Sequence, residues 1–147
     1  MTFSDRFRLQ HDEVSAAARQ LRCLVDGHRP GDGTIPIATQ LARLFSVLRN
    51  HFAEEEQCLY RPLTATQDRD AAALAQRFHR QMGSLAWDWE EYMQRWASSA
   101  VIALNFATFE FTLGRLLAAL EARIECENTI LYPVADALFP DMKGEAA

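Results

Sequence analysis

Apolar side chains recur along this chain at alternating intervals of three and four residues, the period of an α-helix with one buried face. One stripe runs through Phe7, His11, Val14, Ala18, Leu21 and Val25, and a second through Leu41, Leu44, Leu48, His51, Glu55 and Cys58. A third takes in Ala75, His79, Met82, Ala86, Trp89, Met93 and Trp96. The fourth takes in Ile102, Phe106, Phe109, Leu113, Leu116, Leu120, Arg123, Glu127 and Ile130. Strand-like alternation is absent, so the expected class is all-α. The loop GHRPGDG at 27–33, with Thr34 as a cap, makes one break; RPLTATQD at 61–68 makes another, and Ser98-Ser99 a weaker third. The pattern therefore predicts helices over 4–26, 35–60, 68–97 and 100–132. Pro133 limits the last, with a short further turn over Val134 to Phe139. Such stripes imply an up-down-up-down four-helix bundle forming one domain over 1–141, with a frayed tail at 142–147.

Six stripe positions that should be apolar are His11, His51, Glu55, His79, Arg123 and Glu127. Burying such groups singly costs several kcal/mol each unless partners satisfy them. His11 and His79 lie early in the first and third helices; His51 with Glu55, and Arg123 with Glu127, lie late in the second and fourth. Alternating helix directions would bring all six to one layer. His51 and Glu55, at i and i+4, share a helix face and can bind one metal, or one metal and its neighbour through a bridging carboxylate. Imidazole and carboxylate donors without thiolate suit iron, manganese or zinc. A polar network without metal, with Glu127 pairing Arg123 at i, i+4, is the alternative.

The chain also echoes itself. HFAEEEQCLY at 51–60 and RIECENTILY at 123–132 align without gaps, sharing Glu at the fifth position and Leu-Tyr at the end. This implies two helix pairs related by a pseudo-two-fold. Tyr60 and Tyr132, at equivalent places, read as packing residues of the bundle's end, with a hydrogen bond to a group surrounding the ligands as the other option.

Composition narrows the function. The chain has 147 residues, 49% hydrophobic and 24% charged, with a net charge of −5. A globular domain is expected, with no nucleic-acid or membrane partner. Three sparse cysteines (Cys23, Cys58, Cys126) read as free thiols, and the N-terminus has no apolar signal-like run. A cytoplasmic location is expected. His28 reads as a loop residue facing solvent, and the acidic run 54–56 as a solvated face apart from Glu55. Trp, Phe and Met on several faces make a homodimer a candidate assembly.

The order H…HxxxE…H…HxxxE over nearly the whole chain resembles the hemerythrin-like (HHE cation-binding) family. The resemblance implies a bundle holding two irons bridged by carboxylates. Position by position, His11, His51 and His79 match the family's histidines, and Glu55 and Glu127 its bridging carboxylates. Arg123 stands where the family has histidine. A guanidinium has no lone pair to donate, so the iron relying on His79 loses a ligand. Either Arg123 replaces the second cation electrostatically by pairing with Glu55 or Glu127, or it swings out and Glu54, Glu121 or Glu125 supplies a donor. The functions implied are binding or sensing of dioxygen or nitric oxide, or iron storage, at a mononuclear or asymmetric di-iron site. Iron-dependent redox or repair chemistry, and an interaction bundle with a degenerate site, are the alternatives.

Overall fold

Proline, cap residues and one unusual kind of helical turn set the element boundaries in the computed structural model, which describes residues 1–140. The expected tail at 142–147 lies outside the described residues. Helix α1 spans Asp5–Asp26 and ends at the Gly27 loop, where Gly31 takes a φ of 95° that side chains with a Cβ rarely adopt. Helix α2 spans Ile35–Glu55, with Pro36 in its first turn, where no N–H is needed. Thr34 precedes it but does not cap it; its hydroxyl donates instead to the Ser99 carbonyl at 2.6 Å, tying this loop to the far one.

The second helix outruns its expected end. Beyond Glu55 the backbone makes a π-helical turn over Glu56–Tyr60 and continues as α3, Arg61–Thr64. Asp68 then caps α4 (Arg69–Trp96), accepting from the Ala71 N–H at 3.1 Å. The expected fourth helix is divided. Asn105, at φ −134° and ψ 41°, separates α5 (Ser99–Leu104) from α6 (Phe106–Cys126). A second π-helical turn covers Glu127–Leu131, and α7 follows over Tyr132–Leu138. Pro133 therefore does not stop the helix, because it falls in the first turn of α7, where its missing N–H leaves little unpaired.

These π turns correct the buried stripes. A π turn inserts one extra residue, so two consecutive side chains face inward. Leu59 with Tyr60, and Leu131 with Tyr132, are buried, whereas the expected Cys58 is half-buried and Ile130 is exposed. In α4 Ala75, Met82, Trp89 and Trp96 are buried as expected, but Phe78, Leu85 and Tyr92 complete the inner face in place of His79, Ala86 and Met93. Phe78 and Leu85 offer more apolar area than His79 and Ala86, and a partial rotation about the helix axis that keeps the shared row inside selects them.

The buried residues form two hydrophobic clusters, one around Leu21, Leu44, Trp89, Trp96 and Phe109, the other around Phe7, Leu63, Phe78 and Tyr132. The polar layer lies between them, since His11 falls between Phe7 and Val14 and His51 between Leu48 and Leu59. No helix among the described residues is long and apolar enough to cross a membrane.

Candidate metal centre

His11 from α1, His51 and Glu55 from α2, and Glu127 at the start of the second π turn converge, all four buried. Each offers one ligand atom, and these four atoms lie within 4.8 Å of one another. His11 Nε2 is 3.1 Å from Glu127 Oε1, and His51 Nε2 is 3.0 Å from Glu55 Oε1. Two donors that far apart can both sit ~2.1 Å from one ion. The second contact is not an aligned hydrogen bond: Glu55 Oε1 is a buried oxygen with no hydrogen-bond partner. An orphaned carboxylate oxygen beside an imidazole nitrogen fits a cation between them, and the donor set is the nitrogen-oxygen mixture suited to iron, manganese or zinc.

The remaining carboxylate oxygens are held by tyrosines from the opposite member of the echo. Tyr132 donates to Glu55 Oε2 at 2.8 Å, and Tyr60 donates to Glu127 Oε2 at 2.9 Å. The Tyr132 oxygen also lies 3.0 Å from His11 Nε2. The tyrosines therefore pack and hydrogen-bond at once. Outside the ligand atoms, His11 Nδ1 meets Asn128 Oδ1 at 2.8 Å and His51 Nδ1 meets Gln10 Oε1 at 2.8 Å. Neither amide was singled out by periodicity. The available signal is adjacency: Gln10 precedes His11 and Asn128 follows Glu127.

Arg123 stays inside the layer. Its Nη2 donates to the Tyr60 hydroxyl at 2.5 Å and to the Phe78 carbonyl at 2.6 Å, and Nη1 donates to Gln81 Oε1 at 3.3 Å. Its Nε lies 3.3 Å from Glu127 Oε2, a charge contact that is not an aligned hydrogen bond. Of the two options for Arg123, the inward one with Glu127 as partner is the one observed.

His79 is not brought into the group. The set of the α4 face turns it outward, its side chain is 41% exposed, and its Nε2 meets Glu56 Oε2 at 2.5 Å. Glu56 and Glu54 are thus engaged rather than simply solvated, Glu54 accepting from Gln10 at 2.5 Å. His28 stacks on Phe106 with ring centroids 4.2 Å apart. The three cysteines are free and none belongs to the four-residue group.

The two carboxyls differ electrostatically. Burial, followed by the nearby Glu127 charge, pushes Glu55 well above its ordinary value. Burial opposes ionisation of Glu127 as well, but its hydrogen bond from His11 and the Arg123 charge outweigh it, so its pKa is lowered. Burial also lowers His51, favouring the neutral ring that a metal requires.

A helical bundle with buried histidines and carboxylates converging in one layer defines a class of cation-binding protein. The hemerythrin HHE cation-binding domain model matches residues 2–135, and the chain belongs to that family. No curated protein and no solved structure matches it.

Proposed function

We propose that this chain is an up-down-up-down four-helix bundle holding a single iron ion through His11, His51, Glu55 and Glu127, and that it binds or senses dioxygen or nitric oxide there. The observation that carries the single-ion reading is Arg123, whose fixed positive charge stands against Glu127, on the side of the layer where the family pattern has a histidine. Two carboxylates and one guanidinium leave the layer one negative charge, which a divalent cation overcompensates only by one. A second divalent ion would face Arg123 directly, without His79 turned toward it.

Bound iron would supply open coordination positions and a one-electron couple. The chain's own residues do the rest. His11 and His51 offer ring nitrogens, Glu55 offers the orphaned oxygen, and Tyr132 and Tyr60 fix the two carboxylates. The two hydrophobic clusters above and below keep bulk water out of the layer.

Anaerobic ferrous loading followed by elemental analysis and optical spectra tests this reading. One iron per chain, with a new absorption band on exposure to dioxygen or nitric oxide, is the expected result. Turnover of peroxide or nitric oxide would favour the enzymatic alternative. An absence of bound iron, with stability unchanged by loading, would favour a degenerate interaction bundle.

A further inference from the structure

We infer that Gln10 is a positioning residue for the metal centre, fixing which nitrogen of His51 faces the ligand group, and that Glu54 sets the direction of the Gln10 amide. The inference rests on the metal-holding reading above. An imidazole ligates only through a nitrogen that carries no proton, so the ring's proton must be kept on the other one.

The geometry places that proton by elimination. The Gln10 side chain lies between two groups: Glu54 Oε2 at 2.5 Å from its Nε2, and His51 Nδ1 at 2.8 Å from its Oε1. An ionised carboxylate can only accept, so the amide NH₂ must point to Glu54. The amide oxygen is then turned to His51 and can only accept, so Nδ1 donates. The His51 proton is thereby held on Nδ1, and the Nε2 lone pair is directed at Glu55 Oε1, 3.0 Å away.

Three side chains on two helices form this relay: Gln10 on α1, Glu54 and His51 on α2. Gln10 adjoins His11 in sequence but serves the other histidine. Helix α1 therefore steadies a ligand carried by α2, and the relay links the approach of the two helices to the form of the site. With the relay broken, the opposite tautomer would place an N–H against Glu55 Oε1 and close the position to a cation.

The experiment measures the His51 tautomer by nitrogen–proton correlation NMR on the metal-free chain, and zinc affinity by competition with a chelator. Wild-type protein should show the Nδ1–H form. Gln10→Leu should shift His51 toward Nε2–H and weaken zinc binding ~10- to 100-fold, the usual effect of losing such a partner. The Gln10→Glu/Glu54→Gln double variant exchanges the two groups, leaving an acceptor on His51, and should keep the Nδ1–H form and an affinity within about threefold of wild type. An Nε2–H ring in the wild type, or unchanged zinc affinity in Gln10→Leu, overturns the inference. Failure of the double variant to recover also contradicts it, since the exchange keeps both the shape of the two side chains and an acceptor on His51. A wild-type chain that shows the Nδ1–H form yet takes up no zinc overturns the metal reading and the affinity role of Gln10 with it.

Discussion

The hydroxyl of Tyr132 donates to Glu55 Oε2 at 2.8 Å, joining the end of the second half of the chain to the middle of the first. Its echo, Tyr60, does the reverse by donating to Glu127 Oε2. Both tyrosines reach inward because Tyr60 ends one π turn, begun just after Glu55, and Tyr132 directly follows the other, begun with Glu127. The turns cross-link the two halves through their carboxylates, leaving one Glu55 oxygen free for a cation.

Removing the Tyr132 hydroxyl should therefore be costly for its size. Tyr132→Phe leaves Glu55 Oε2 buried without its donor, a loss of about 1–3 kcal/mol. Denaturant unfolding of the metal-free protein measures this, and a loss below about 0.5 kcal/mol, the scale of ordinary surface changes, would mean that the hydrogen bond contributes little.

Arg123 is held by Tyr60, the Phe78 carbonyl and Gln81 and faces Glu127. Arg123→Met removes the buried countercharge and should destabilise the metal-free chain by about 3 kcal/mol, the lower end for breaking a buried pair because His11 and Tyr60 still hold Glu127. Arg123→Lys should recover only part of this, since an ammonium cannot span the tyrosine, the carbonyl and the carboxylate together. Equal stability of the lysine variant and wild type would contradict the forked role.

Metal-free stability should depend on pH through Glu55 and His51 in opposite senses. The folded Glu55 pKa is raised above its ordinary 4.5, chiefly by burial and then by Glu127. Its contribution is therefore complete below 4.5 and lost as pH rises through the raised value. Burial lowers His51 from 6.5, so its contribution is present above 6.5 and lost as pH falls through the lowered value. Glu55→Gln should flatten the decline above 4.5, and zinc uptake by wild type should release a proton wherever Glu55 is still protonated. Unfolding titrations over a pH series check this; superimposable profiles for wild type and Glu55→Gln would refute it.

His79 offers a contrast with His51. Because its ring is turned to Glu56 and solvent, His79→Ala should leave metal affinity within about twofold, while His51→Ala, which removes a proposed ligand, should lower it by more than about tenfold. Chelator competition on the two variants separates them, and equal losses would return His79 to the ligand set.

The helical period and the polar intrusions at His11, His51, Glu55, Arg123 and Glu127 were legible because burial of a charged group on a stripe has few benign explanations. His79 lies off the buried face for a physical reason. In α4 two adjacent faces, one through Phe78, Leu85 and Tyr92 and one through His79, Ala86 and Met93, both carry the helical period, and side-chain volume decides between them. Period alone does not weigh volume. The π turns were hidden as well, since a one-residue insertion leaves no composition signal. The repeated Leu-Tyr after each glutamate was the trace they did leave. Gln10 and Asn128 are not legible in the sequence because an amide beside a stripe resembles any surface residue until the opposite helix is in place.

Counting metal remains the most direct trial of the single-ion centre. After anaerobic loading with excess ferrous iron and desalting, the chain should retain one iron, lost on His51→Ala and kept on His79→Ala. Two irons per chain at full occupancy would contradict the role given to Arg123, and none would contradict the metal centre itself.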